Sequence, residues 1–163
     1  MCPAKLRENY VTNVGEILTL ARQHHDKFTS RKKGAYKFEN DHGEANMYTL
    51  FQFDMSDELK NAILRTIPEE YKDVEPEYLC INRYEPGSYL PVHRDTNGRF
   101  WRFHLIFLQS DESHFKIYDE EGHGYMVEEK PGAQCVMPIN APHEVTLIKP
   151  HERDKYSLVI AWG

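Results

Sequence analysis

The chain has 163 residues, 40% hydrophobic and 28% charged, which suits one domain with its own core and excludes a disordered chain. Twenty Lys and Arg stand against 26 Asp and Glu, a formal charge of −6, which disfavours a dedicated nucleic-acid binder because phosphate contacts demand the opposite balance. The opening MCPAKLRENY lacks the apolar run of a secretory signal, and no segment is long and apolar enough to span a membrane. Cys2, Cys80 and Cys135 are an odd set at no metal-binding spacing, so reduced thiols and a cytoplasmic location are expected.

In chain order, Thr12 or Asn13 can cap a helix whose apolar positions Val14, Ile17, Leu18 and Ala21 recur at helical spacing. Within it or at its end, His24-x-Asp26 reads as a solvated helix end. MYTLFQF, from Met47 to Phe53, predicts a strand added to one sheet. Ser56 can cap a second helix with Leu59, Ala62, Ile63 and Ile67 on one face, stopped by Pro68. His42-x-Glu44 is a weak metal-binding candidate in a loop rich in Gly and Asp.

From Tyr78 onward the texture changes to short runs rich in Val, Ile, Tyr and Phe, separated by Gly, Pro, Asn and Asp. LCINRY, YLPVHRD, RFHLIFLQ, HFKIYD, GYMVEE, AQCVMP, EVTLI and KYSLVIAW predict eight strands of a sandwich or barrel. The expected fold is mainly β with N-terminal helices. One domain spans 1–163, with 1–77 as a helical and strand support layer and 78–162 as the barrel core.

The chemistry concentrates in that core. His93 and Asp95 are two apart on a predicted strand, so both can face one ion. His143, delivered by a Pro-rich turn to the head of a later strand, is the best third ligand. Two imidazoles and one carboxylate leave three positions open, which suits Fe(II) and O₂ chemistry rather than a closed zinc site. In KYSLVIAW, alternation places Lys155, Ser157, Val159 and Ala161 on one face and Tyr156, Leu158, Ile160 and Trp162 on the other. Arg153 shares the parity of Lys155, so alternation leaves open which of the two cations points inward. Arg102 and His104 share a face of their strand and either bind an anion or meet solvent.

Together these residues resemble the 2-oxoglutarate and Fe(II)-dependent oxygenases, whose fold is a double-stranded β-helix of the jelly-roll, cupin-like kind. Tyr84-x-x-Gly87, followed by His93-x-Asp95 with Pro91 two before the histidine, is similar to the prolyl-hydroxylase iron motif. Arg102-Phe103-His104-Leu105, His143-Glu144-Val145, a basic residue about ten positions on and the closing Trp162 resemble the aspartyl/asparaginyl β-hydroxylase-like branch, which includes free-proline hydroxylases. The likeness covers Tyr78 to Trp162.

The resemblance implies that His93, Asp95 and His143 hold Fe(II) and that 2-oxoglutarate and O₂ are co-substrates. It implies a distal carboxylate met by Lys155 or Arg153, with Ser157 and Tyr89 as hydrogen-bond donors and Arg102 and His104 as further co-substrate contacts. The implied reaction is hydroxylation of an unactivated C–H on an amino acid, peptide or protein side chain, with succinate and CO₂ released. The stretch ending at Ala161 lacks the second Arg of the nucleic-acid demethylases, so a nucleobase is the lesser alternative. The short chain favours a small molecule or an exposed side chain as substrate, read by the loops Arg31–Gly43 and Asp111–Gly124. The acidic tip of the second loop reads as solvated. Two other classes use the same residues: a cupin-like metal enzyme without 2-oxoglutarate, and a barrel that only binds.

Overall fold

The structure is a computed structural model of the chain, and it describes residues 1–31, 46–65, 67, 74–94, 102–138 and 140–162. Asp95, His42, Glu44, Pro68 and most of the loop 31–43 lie outside the described residues.

The two expected helices form where the periodicity places them. α1 runs Val14–Gln23 and buries Ile17, Leu18, Leu20 and Ala21; α2 runs Asp57–Leu64 and buries Leu59, Ala62 and Ile63. Ser56 Oγ accepts from the Leu59 amide at 3.2 Å, and Asp57 and Glu58 occupy the first turn, where the helix dipole favours acids. Asn13 is the N-cap of α1 but makes no capping bond; its amide instead donates to Ala62 O at 3.0 Å and ties the helices together.

His24 corrects the expectation of a solvated helix end. It is buried, its Nδ1 bonds Leu20 O at 2.7 Å, and its Nε2 accepts from the Ser56 amide at 3.0 Å. A carbonyl can only accept and an amide can only donate, so both contacts demand one neutral tautomer. The residue therefore joins the end of α1 to the start of α2, while Asp26 is exposed in the 3-10 turn His25–Lys27. A His24→Ala variant is expected to lose about 1–3 kcal/mol, because both backbone partners lose their buried bond. An unchanged urea midpoint would contradict this role.

Eleven strands follow the chain among the described residues: β1 Lys5–Arg7, β2 Thr29–Ser30, β3 Met47–Phe51, β4 Tyr78–Tyr84, β5 Leu90–His93, β6 Arg102–Gln109, β7 Phe115–Tyr118, β8 Gly124–Met126, β9 Gln134–Val136, β10 His143–Val145 and β11 Lys155–Trp162. β4 to β11 correspond to the eight expected strands, most of them shorter than the sequence runs. β1 and β2 were not foreseen; neither three residues nor two can carry a readable alternation. All pairings are antiparallel, in a seven-stranded sheet ordered β1-β9-β6-β11-β4-β3-β2 and a four-stranded sheet ordered β5-β10-β7-β8.

Three layers result. The helices cover one face of the large sheet through Ile17, Leu59, Ile63, Ile81, Ile106, Leu158 and Trp162, and the small sheet covers the other through Phe107, Phe115, Ile117, Val145 and Val159. β11 lies between β4 and β6 with all eight residues buried. Tyr156, Leu158, Ile160 and Trp162 face the helices, which leaves Lys155, Ser157 and Val159 to face the space between the sheets.

Gly132 docks the N-terminal segment onto this framework. Its amide donates to Phe107 O at 2.7 Å and its carbonyl accepts from Val11 N at 3.0 Å. Its φ is +83°, and a Cβ would stand 2.4 Å from Val11 O, so only glycine fits. No helix among the described residues is long and apolar enough to cross a membrane.

Candidate metal centre and a buried ion pair

β5 and β10 bring two histidines together from opposite sides of a ladder. His93 and His143 are direct cross-strand partners, with ring centroids 4.3 Å apart at 63°. Each ring is held the same way, with His93 Nδ1 2.8 Å from Pro91 O and His143 Nδ1 2.9 Å from Ala141 O. Since a carbonyl only accepts, each Nδ1 carries a proton, which makes Nε2 the ligating atom of each ring in its neutral form. This is the second-layer arrangement that orients a ligating imidazole. Phe115 stacks on the His143 ring at 5.4 Å and 29° and fixes its plane.

A bulge shapes the approach to His93. His143 faces His93 while Val145 faces Leu90, so four residues of β5 span what three span on β10. The extra residue keeps both Leu90 and His93 directed inward, and Leu90 packs on the inter-sheet cluster. Tyr89 and Val92 are left 44% and 50% exposed. Along the small sheet, His93, His143, Ile117 and Tyr125 form one register row.

From the histidines a run of contacts crosses the space between the sheets. Phe115 meets Phe107 at 5.9 Å, and the Lys155 ammonium stands 5.1 Å from the Phe107 ring and 5.9 Å from that of Tyr84. Lys155 is 2% exposed and Ser157, two residues on, is 3% exposed. The ammonium pairs with Glu129, a carboxylate that also accepts from the amides of His114 and, at 3.0 Å, Phe115. Glu129 carries no mark in the sequence, where GYMVEE reads simply as a strand; β8 ends at Met126, and Glu129, three residues on, is buried. The one available signal was physical, since a buried cation requires a counter-charge.

The other proposed anchors lie elsewhere. Arg153 is on the rim, its Nε 2.8 Å from Asp111 Oδ1 and its amide 2.6 Å from Asp111 Oδ2. This pairing holds the Asp111 carboxyl below its usual range, with Arg153 as the main cause. The loop acids Asp111 and Glu112 are exposed, as expected, and also tie the loop, Glu112 binding Lys149 at 3.1 Å and His151 at 3.3 Å. His104 is also a correction. Its neighbours in alternation, Ile106 and Leu108, belong to the helical layer, while Phe107 faces the small sheet. His104 accordingly shares a 2.7 Å hydrogen bond with Tyr10 and meets Trp162 edge-on at 4.9 Å, on the far side of β6 from His143. Arg102 opens β6 opposite Trp162, and its side chain lies outside the described part.

Glu112, His114 and Glu152 form a second cluster of ligand types. Its buried members are already engaged: His114 Nε2 lies 2.6 Å from Glu152, His114 Nδ1 2.9 Å from Thr146 Oγ1, and Glu152 accepts from the Lys149 amide at 2.7 Å. These bonds make the cluster a brace between loops.

All three cysteines are free thiols. Burial pushes the Cys80 thiol up to about 11 and the Cys135 thiol up to about 12. Because thiolate is the reactive form, native protein at pH 8 is expected to take one alkyl group, at the half-buried Cys2. Mass spectrometry after brief iodoacetamide treatment checks this, and labelling of Cys80 or Cys135 in folded protein would contradict it.

No protein-family model matches the sequence, and no curated protein matches it either. Solved structures do match along almost the whole chain. One is the prolyl hydroxylase of Trichoplax adhaerens in complex with a peptide fragment of the hypoxia-inducible factor oxygen degradation domain; identity is 10%, TM-score 0.71, over 98% of this chain and 83% of that one. A second is the non-heme alpha-ketoglutarate-dependent epimerase of nogalamycin biosynthesis, at 13% identity and TM-score 0.66, over 98% and 76%. A third is the viral collagen prolyl hydroxylase of Paramecium bursaria Chlorella virus 1 in its 2-oxoglutarate complex, at 14% identity and TM-score 0.61, over 99% and 97%. Identities this low establish architecture alone. The chain has the double-stranded β-helix fold that the 2-oxoglutarate and Fe(II) oxygenases share.

Proposed function

We propose that this protein is an Fe(II)- and 2-oxoglutarate-dependent oxygenase that hydroxylates an unactivated C–H of an amino acid, peptide or protein side chain of the Asp, Asn or Pro type. The observation that carries the reading is the His93–His143 pair, whose rings stand 4.3 Å apart with both Nδ1 atoms bonded to backbone carbonyls, so that Nε2 is the ligating atom of each neutral ring. Such a donor pair fits a divalent metal. Asp95, two residues after His93, supplies the carboxylate of the set by its spacing. Fe(II) held there would activate O₂ with 2-oxoglutarate as the two-electron reductant, one oxygen atom going to the C–H and the other to succinate as CO₂ leaves.

The chain's own part is orientation and exclusion of water. Pro91 O and Ala141 O hold the imidazoles in one tautomer, and Phe115 keeps the His143 plane fixed. The apolar cluster of Phe107, Phe115, Ile117, Val145 and Val159 keeps the interior dry. Lys155 and Ser157 lie on the inward face of β11, where the far end of an oxo acid would extend. The peptide held by the Trichoplax relative supports a peptide or small-molecule substrate.

Two measurements test the proposal. With Mn(II) in place of iron, 2-oxoglutarate is expected to quench the aromatic fluorescence saturably. With Fe(II) in air, succinate release is expected to rise above background for at least one member of a panel of amino acids and peptides. Quenching that is indifferent to metal, together with no succinate from any panel member, would refute the reading.

A further inference from the structure

The function proposed above gives no task to Glu129, a buried carboxylate. Glu129 is 7% exposed, accepts the amides of His114 and Phe115, and pairs with Lys155. The two paired side chains are withdrawn from water almost completely, at 3% for Lys155 and 1% for Glu129. Three donors fix the carboxylate in place. The surroundings add little polarity: the Phe107 and Tyr84 rings lie near the ammonium, and Cys135 feels both charges, Glu129 raising its thiol beyond what burial does and Lys155 lowering it.

The cation at this end of the barrel is therefore neutralised from within the protein. A buried ammonium lacking a counter-charge demands a carboxylate from its ligand. One that already has such a partner makes no such demand, and a second carboxylate brought to it meets the first as a like charge. We infer that Glu129 determines the oxo-acid specificity of this pocket: it stands in for the distal carboxylate of the co-substrate, so that a 2-oxo acid with an uncharged tail competes with 2-oxoglutarate. The inference rests on the reading of His93 and His143 as the metal centre of an oxo-acid-binding site.

The test compares two ligands on one protein. The Mn(II)-loaded enzyme is titrated without O₂ with 2-oxoglutarate and with 2-oxopentanoate, which has a methyl group where 2-oxoglutarate has its distal carboxylate. The two dissociation constants are expected to lie within about fivefold of each other in the wild type. In Glu129→Gln the preference for 2-oxoglutarate is expected to grow by about tenfold or more, since Lys155 then lacks its internal partner. A ratio cancels any loss of stability common to both titrations. Should the single variant fail to fold, the double variant Glu129→Gln/Lys155→Met carries the test and is expected to prefer 2-oxopentanoate.

A wild-type preference for 2-oxoglutarate above about a hundredfold overturns the inference, as does a ratio that Glu129→Gln leaves unmoved; in either case the proposed function stands. Absence of saturable binding by both acids overturns the function and the inference together, and that pattern distinguishes the two failures.

Discussion

A His143→Ala variant is expected to keep its fold and lose its metal. The ring bonds Ala141 O and stacks on Phe115, and losing these contacts costs about 1–3 kcal/mol of the roughly 5–15 kcal/mol that holds a domain of this size. The loss in metal affinity is of another order. Disturbing a group that merely orients a ligand costs about 10–100-fold, and removing the ligand itself is expected to exceed the upper figure. Metal content after desalting and succinate formation should then fall together, while circular dichroism stays that of the parent. Stoichiometric iron retained by the variant would remove His143 from the centre.

Lys155→Met is expected to be the most destabilising single change in the barrel, at about 3–5 kcal/mol, because it strands the Glu129 carboxylate out of water without its cation. The argument concerns the stranded charge more than the lost attraction. In the double variant Lys155→Met/Glu129→Gln no charge is stranded, and a glutamine oxygen can still accept from the two backbone amides that Glu129 engages. Most of the lost stability is therefore expected to return. A double-mutant cycle in urea reads this directly as a coupling energy between the sites. Simple additivity of the two single changes would show that the pair contributes nothing in the folded protein.

What could be read from the chain itself follows a physical division. β11 was legible because its alternation is strict, with bulky residues at Tyr156, Leu158, Ile160 and Trp162 and small or polar ones between, and the structure gives each set its own layer. The helices were legible from period and capping chemistry at Ser56. Alternation shows that β6 has two unlike faces but not which face meets which layer; only the resemblance makes His104 a co-substrate contact, whereas its ring lies against Tyr10 and Trp162. The ladder partner of His93 could be anticipated only through a known family pattern, since fifty residues separate it from His143.

The rest depends on contacts between segments distant in the chain. Lys155 and Arg153 are indistinguishable by parity; what separates them is Glu129 inside and Asp111 on the rim, 26 and 42 residues away respectively. His24 looked solvated because it ends a helix, and only the arrival of Ser56 from α2 makes it a buried link. Tyr89 shares the parity of His93, yet the bulge in β5 removes it from the inward face. Each of these outcomes is decided by a neighbour that local sequence does not contain.

The position of β11 has a consequence for biosynthesis. It lies between β4 and β6, both of which leave the ribosome well before it does. Until residues 155–162 emerge, β4 with β3 and β6 with β9 are separate half-sheets with unpaired edges, and Trp162 is missing from the layer beneath the helices. The large sheet can close only by late insertion of its middle strand, a step that pairs residues far apart in sequence and is intrinsically slow. The nascent chain thus passes through a stage with open strand edges, the kind of intermediate on which chaperones act.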